Sequence, residues 1–287
     1  TEVKSSQRGR FDEIATLRSM LDAHLAKFAG AGGSVNEVRA QVLADCRAAG
    51  RSADQGVFTL TAPTGCGKSP TLSLVSGLEP ASAGTVEVHG RPVTAIPDGI
   101  GYMFQTDAVL PWKSVLDNVA LGLRYHKVAK QEAHARARDW IQRVGLAGFE
   151  DRYPHQLSGG MRKRVAMAQS LIGNPAILLL DEPFGALDVQ TREHMQDELL
   201  DLWSGTGAAV VFITHDLTEA ISLADRVVVM TAGPGTVKET VPIDLPRPRK
   251  VEEIRLTQEF TEIYRNVWNS LREEVEITRA RGASRVA

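Results

Sequence analysis

The sequence predicts an α/β protein with a parallel sheet at its core, and three observations carry that expectation. Uninterrupted apolar runs, Ala176–Leu180, Ala208–Ile213 and Arg226–Met230, lack the polar alternation of a half-exposed strand and read as strands covered on both faces. Helical stretches separate them, as parallel crossovers require. A β-prone run, Val57–Thr61, leads through a glycine-rich turn into Thr71, Leu72, Leu74 and Val75, which read as a helix stopped near Gly77.

The other elements follow in chain order. In residues 1–50, Phe11, Ile14, Leu17, Leu21, Leu25 and Phe28 fit a helix and Gly30–Ser34 a loop, but no clean strand pattern emerges. Between the first strands and Ala176 lies a helix-rich insert, where Ala133, Ala137, Trp140, Ile141 and Val144 recur at helical spacing. It reads as a separate helical lobe. A further helical face, Phe260, Ile263, Tyr264, Val267, Trp268 and Leu271, follows the proline-punctuated stretch Pro242–Pro248, read as a linker. Past Arg279 the residues turn small and polar and read as a frayed tail.

Composition bounds the function. The 287 residues, 43% of them hydrophobic, suffice for one large α/β domain or two small ones and argue against disorder. Lys and Arg number 33 against 35 Asp and Glu, a formal charge of −2 that gives no global footprint for nucleic acid or an anionic membrane. No apolar run approaches the ~20 residues that span a bilayer. Only Cys46 and Cys66 are present, and no signal-peptide pattern opens the sequence, so the expected compartment is a reducing cytoplasm.

The chemistry concentrates in a few segments. Thr64, Gly65, Cys66, Gly67, Lys68 and Ser69 lie between a strand and a helix, the context of a phosphate-binding loop. There, backbone N–H groups at a helix N-terminus attract anions, Lys68 supplies a point charge for β and γ phosphates, and Ser69 offers a hydroxyl to Mg²⁺. The pattern G-x-x-x-x-G-K-[ST] lacks its first glycine, since Ala62 stands there, and a plain turn with a surface lysine is the alternative. In Ile177–Pro183 four apolar strand residues run into Asp181 and Glu182, where one carboxylate can hold Mg²⁺ through water and another can orient or deprotonate the attacking water; an acidic strand cap is the bland reading.

Leu157, Ser158, Gly159, Gly160 and Met161 open a helix with Ser158 as N-cap; Met161, Val165, Ala168 and Ile172 form its apolar face, and Gly173 and Pro175 close it. Arg162, Lys163 and Arg164 sit in its first turns, where the dipole disfavours cations unless an anion is near; a solvated face is the alternative. Gln105 ends the strand-like Ile100–Phe104, and His215 follows Ala208–Ile213 on the loop side where parallel sheets bind ligands.

In this order the segments resemble the ATP-binding cassette (ABC) family, from about Gly56 to Leu271. Gly65–Ser69 is similar to Walker A, Gln105 to the Q-loop, Leu157–Met161 to the signature motif, Asp181 and Glu182 to Walker B, Ala186–Asp188 to the D-loop and His215 to the switch histidine. Thr106–Trp112, the signature ending in Met161, and the stretch Pro246–Leu271 resemble the nitrate, sulfonate and taurine importer group.

The resemblance implies a P-loop NTPase fold: an N-terminal segment over 1–50, an ATPase domain over 51–245 with a helical subdomain at about 106–173, and a C-terminal helical extension over 246–287. It implies an ATPase using ATP and Mg²⁺ that works as a homodimer or paired ABC subunit at the cytoplasmic face of the membrane. A permease and, indirectly, a solute-binding protein would be its partners; nucleic acid would not. Thr64–Pro70, Ser158, Gly159, Gly160 and Asp188 would contact nucleotide, Ser69, Gln105 and Asp181 the metal, and Glu182, His215 and Gln105 would be catalytic. The departures are Ala62, Pro70 where threonine is usual, and no aromatic residue clearly placed to stack on adenine, for which Phe28 is the candidate against ordinary core. A weakened, regulatory nucleotide binder is one rival. A DNA-repair or translation ATPase is another, although the sequence shows no coiled-coil or zinc insert or second cassette.

Overall fold

All five residues of Val57–Thr61 are buried, and this strand, β1, organises the sheet around it. The structure is a computed structural model that describes residues 56–63, 68–82, 84–88, 91–232 and 235–283. The expected N-terminal helix and Phe28 lie outside that range. The chain divides into two units, one containing the residues up to Asp98 and from Ala209 onward, the other Gly99–Ala208.

In the first unit, β1 pairs in parallel with β6 (Ala209–Ile213) and β7 (Arg226–Met230), both wholly buried, and β7 pairs antiparallel with β8 (Val237–Pro242). Helix α1 (Lys68–Val75) follows the phosphate-loop segment and ends as the sequence predicts. Leu78 N–H reaches Ser73 O at 2.9 Å and Gly77 N–H reaches Leu74 O at 3.3 Å, a closure that needs the left-handed φ of 72° at Gly77. Glu87–Val88 (β2) and Arg91–Pro92 (β3) form a small antiparallel pair.

The second unit carries β4 (Ile100–Met103) parallel to β5 (Ile177–Asp181), with helices α2 (Val115–Val119), α3 (Leu121–Tyr125), α4 (Lys130–Arg143), α5 (Gly159–Leu171) and α6 (Val189–Ser204). The expected face of α4 holds, with Ala133, Ala137 and Ile141 buried and Val144 at its C-cap. Helix α5 lies so close to β4 that a Cβ on Gly101 would stand 2.5 Å from Ser170 O. Only glycine fits there.

Beyond β6 and β7 the chain differs from expectation. The stretch taken for a linker is packed: Ile243, Leu245 and Arg249 are buried. Arg249 donates from Nη1 to Ser222 O and Ala224 O at the C-terminal end of α7 (Leu217–Leu223), and from Nη2 to Ile243 O and Leu245 O. Asp225 receives Arg247 Nε at 3.0 Å and the Val57 N–H at 3.0 Å, and lies 3.5 Å from Arg249 Nη2. A cation at a helix C-terminus meets the negative end of the dipole.

After α8 (Val251–Ile254), helix α9 runs over Gln258–Ala283, further than the tail predicted past Arg279. Phe260, Val267 and Leu271 are buried as predicted, while Trp268 is exposed. Lys238 Nζ, 2.8 Å from Glu273 and 2.9 Å from Glu274, ties β8 to α9. The hydrogen bonds to these carboxylates raise the Lys238 pKa and lower that of Glu273.

Arg249→Met leaves four carbonyls and Asp225 without this guanidinium and is expected to cost about 3 to 5 kcal/mol of stability. Urea unfolding followed by circular dichroism checks it; an unchanged midpoint contradicts the assignment of Arg249 as a structural post.

Candidate nucleotide site

Backbone register places the site residues within each unit. In the second, Met103 faces Leu180 in the β4 and β5 ladder, so two residues further on Gln105 faces Glu182. Gln105 Nε2 donates to Glu182 Oε2 at 3.2 Å, joining the two residues that the sequence singled out separately. Asp181, the last residue of β5, is buried, and Glu182 turns away from it with φ of 42°. A left-handed non-glycine residue costs about 1 to 3 kcal/mol and persists only where its surroundings fix it. Here Pro183 and the fully buried Phe184 follow at once.

Ser158 caps α5, its Oγ accepting from Met161 N–H at 3.3 Å. Ser158 and Gly159 are exposed and Gly160 is half-buried, so the helix N-terminus with its unpaired N–H groups is open to solvent. Each member of the basic run beside it has partners within the chain. Lys163 is 3% exposed and lies 2.9 Å from Asp107, while Arg164 pairs with Glu198 at 2.7 Å and donates to Val144 O. Arg162 donates to Leu157 O and stands 3.5 Å from Asp107. These cations are neutralised within the chain, so no nearby phosphate is needed to explain them.

Asp188 caps α6, accepting from Thr191 N–H at 3.0 Å. That backbone bond, then the Thr191 side chain, holds its carboxyl below the ordinary carboxylate value of 3.8. The folded-state pKa is depressed, so this contribution to stability is present above the unfolded pKa and is lost as pH falls through the folded one.

In the first unit, Leu60 faces Ile213, which brings Ala62 and His215 to the same edge. His215 is exposed between the buried Thr214 and the half-buried Asp216. Thr214 Oγ1 accepts from Asp216 N–H, and Asp216 caps α7 by accepting from Thr218 and Glu219. Lys68 is 6% exposed and donates from Nζ to Ala62 O at 2.8 Å and Pro63 O at 3.1 Å. Ser69 and Pro70 are exposed in the first turn of α1, where proline's missing N–H has no helical partner. Thr64–Gly67 fall outside the described residues. Ala62 is not among the described non-glycine residues at positive φ, which are Lys127, Asn174 and Glu182, so the strain raised as a possibility for Ala62 is absent.

Mg²⁺ takes hard oxygen ligands and usually arrives with phosphates, needing only one or two protein carboxylates. Within the second unit Gln105 Oε1 and Asp181 are oxygen donors of that kind, and Gln105 keeps Oε1 as an acceptor because Nε2 is turned to Glu182; in the first unit the exposed Ser69 carries a hydroxyl. Among the described residues no three His, Cys, Asp or Glu gather as a metal cage.

Trp112 is 71% exposed, which excludes the core reading of this residue. Its loop is pinned by buried Asn118, which accepts from Leu110 N–H at 2.7 Å and donates to Leu110 O, Lys113 O and Ser114 O. Asp107, Lys163 and Asn118 were not singled out as site residues. The signal for the first two was a lone acid two positions after Gln105 and a basic run on a helix start.

Comparison with known proteins gives the same picture. A family model described as ABC transporter matches residues 53–185. An uncharacterised ABC transporter ATP-binding protein of Methanocaldococcus jannaschii is 46% identical over 218 residues, covering 76% of this chain and 80% of the relative. The taurine import ATP-binding protein TauB of Burkholderia thailandensis is 44% identical over 217 residues, 74% of this chain and 84% of that protein. Among solved structures, a dimeric ATP-binding cassette in a post-hydrolysis state with ADP and phosphate superposes with a TM-score of 0.59 at 29% identity, covering 67% of this chain and 88% of that one. The chain belongs to the ABC transporter ATP-binding family: it is an ATP-binding, ATP-hydrolysing subunit with a P-loop NTPase α/β fold.

Proposed function

We propose that the protein powers a membrane importer of a small solute such as nitrate, a sulfonate or taurine, as two copies closing on ATP against a separate permease. The observation that carries the ATPase part is the Gln105 amide on the Glu182 carboxylate at the end of paired strands. The importer part rests on the relatives named for taurine import and on the exposed Trp112 in the segment that follows Gln105 in sequence. Among the described residues no helix is long and apolar enough to cross a membrane, in keeping with a peripheral subunit at the cytoplasmic face. A solute-binding protein would deliver cargo to the permease. In domain terms, 51–245 is the ATPase, about 106–173 its helical subdomain and 246–287 an extension.

In the mechanism proposed, Thr64–Pro70 cradle the phosphates and Lys68 exchanges its carbonyl partners for phosphate oxygens. Ser69, Gln105 and Asp181 would hold Mg²⁺, whose charge offsets that of the phosphates. Ser158, Gly159 and Gly160 of a second copy present the N–H groups of α5 to the γ-phosphate, with Asp188 nearby and Phe28 as the adenine contact. Glu182 takes a proton from the attacking water, the new P–O bond forms to the γ-phosphorus and the bond to the ADP oxygen breaks. His215 contacts the γ-phosphate.

Glu182→Gln removes the base and is expected to slow hydrolysis about 10²- to 10⁴-fold while ATP binding survives, so that ATP with Mg²⁺ traps a dimer on gel filtration. A variant that stays monomeric and hydrolyses at the parent rate refutes the role. Trp112→Ala is expected to weaken co-purification with the permease more than it weakens ATPase of the isolated chain; equal losses would place Trp112 in the catalytic fold instead.

Pro70→Thr restores one N–H donor and one hydroxyl, and a hydrogen bond to a charged group is worth about 1.5 to 3 kcal/mol, so calorimetric titration is expected to show ATP binding tightened by roughly tenfold or more. Ala62→Gly is expected to change affinity little, because Ala62 carries no left-handed strain.

A further inference from the structure

Lysine ammonium groups are hard to bury. Taking one from water costs several kcal/mol unless close partners repay it, and an ion pair replaced as a whole by apolar residues is often at least as stable. The Lys163 side chain is nevertheless 4% exposed, on the first turns of α5, and its head reaches two positions of one short segment. Nζ lies 2.9 Å from Asp107 Oδ1 and donates to Gln105 O at 3.1 Å. The other carboxylate oxygen of Asp107 lies 3.5 Å from Arg162 Nε, and Arg162 holds Leu157 O at 2.8 Å, next to the Ser158 cap. Contacts at residues 105 and 107 leave the peptide between them little freedom to rotate. The direction of the Gln105 side chain, and with it the 3.2 Å bond to Glu182, follows from that backbone.

From this geometry we propose that Lys163, clamped by Asp107, is a positioning residue for hydrolysis: it sets the Gln105 amide against Glu182 and makes that arrangement depend on where α5 stands. The proposal rests on the reading of Glu182 and Gln105 given above. Its consequence is a mechanical link inside one chain. The end of α5 that meets the nucleotide of a second copy also carries the clamp on Gln105, so displacement of Ser158 and Leu157 is passed through Arg162, Asp107 and Lys163 to the residue touching the base. Lys163 itself touches no reacting atom.

The test measures kcat, KM for ATP and melting temperature for the full chain and its variants. Lys163→Met and Asp107→Asn are each expected to lower kcat about 10- to 100-fold with KM changed by no more than about twofold, because a misplaced catalytic group costs rate rather than binding. The double variant is expected to be no slower than the slower single one, since the two act as one unit. Lys163→Arg, which keeps charge and reach, is expected to recover most of the loss. Melting temperatures that fall in step with kcat across the set, or a parent-like kcat in both single variants, overturn the proposal. Should Lys163→Met fail to fold, Asp107→Asn, nearly isosteric, decides alone. Gln105→Ala separates the levels: at parent rate it removes the reading of Gln105 and this proposal together, whereas a slow Gln105→Ala with parent-like Lys163 and Asp107 variants removes the clamp only.

Discussion

The pairing of β4 with β5 is the constraint on which the contact between Gln105 and Glu182 depends. Because side chains alternate across a strand, a slip of one residue between Met103 and Leu180 would turn Gln105 away from Glu182 and expose the apolar faces of both strands. Packing against α5 opposes that slip, since Gly101 lies under Ser170 O and any residue with a Cβ moved to its place would stand 2.5 Å from that oxygen. The close packing of helix on strand therefore fixes the distance between two polar groups past the strand's end. In the other unit the pairing of Leu60 with Ile213 does the equivalent for Ala62 and His215.

Buried cations hold the remaining geometry. Arg249 and Lys163 are nearly inaccessible; Arg249 meets four carbonyl oxygens and one carboxylate, Lys163 one of each. A buried ion pair exchanged as a whole for apolar groups often loses little stability, but removal of one partner leaves a desolvated charge unpaired, so these groups accept few alternative arrangements. Arg249 fixes the end of α7, the helix that begins just after His215, and Lys163 fixes the segment after β4.

Elements whose signal is local were readable from the chain alone. The apolar runs gave β1, β5, β6 and β7, Gly77 ended α1, and Ser158 capped α5 through its own hydroxyl. Strand β8 was not read, because its first four residues are only half-buried and Lys238 and Glu239 gave it no apolar run. The stretch Pro242–Pro248 looks like a linker because proline density reports stiffness and not burial; what packs it is Arg249, which ties Ile243 O and Leu245 O to carbonyls of α7 and its C-cap more than twenty residues away. For the site, single residues were legible wherever a motif or strand end marked them, and the roles of Arg162, Lys163 and Arg164 were not. Whether a cation on a helix faces phosphate, water or an internal carboxylate is decided by tertiary neighbours such as Asp107 and Glu198.

The backbone at Glu182 has a consequence for how this protein can change. Its left-handed φ of 42° is one that glycine adopts without penalty and glutamate does not. Drift toward glycine at this codon would relax the turn and, by the reading given above, delete the base in the same step. Variants collected by a screen for heat resistance alone would thus be enriched in dead enzymes at this position, and only a screen that also scores turnover would keep the acid.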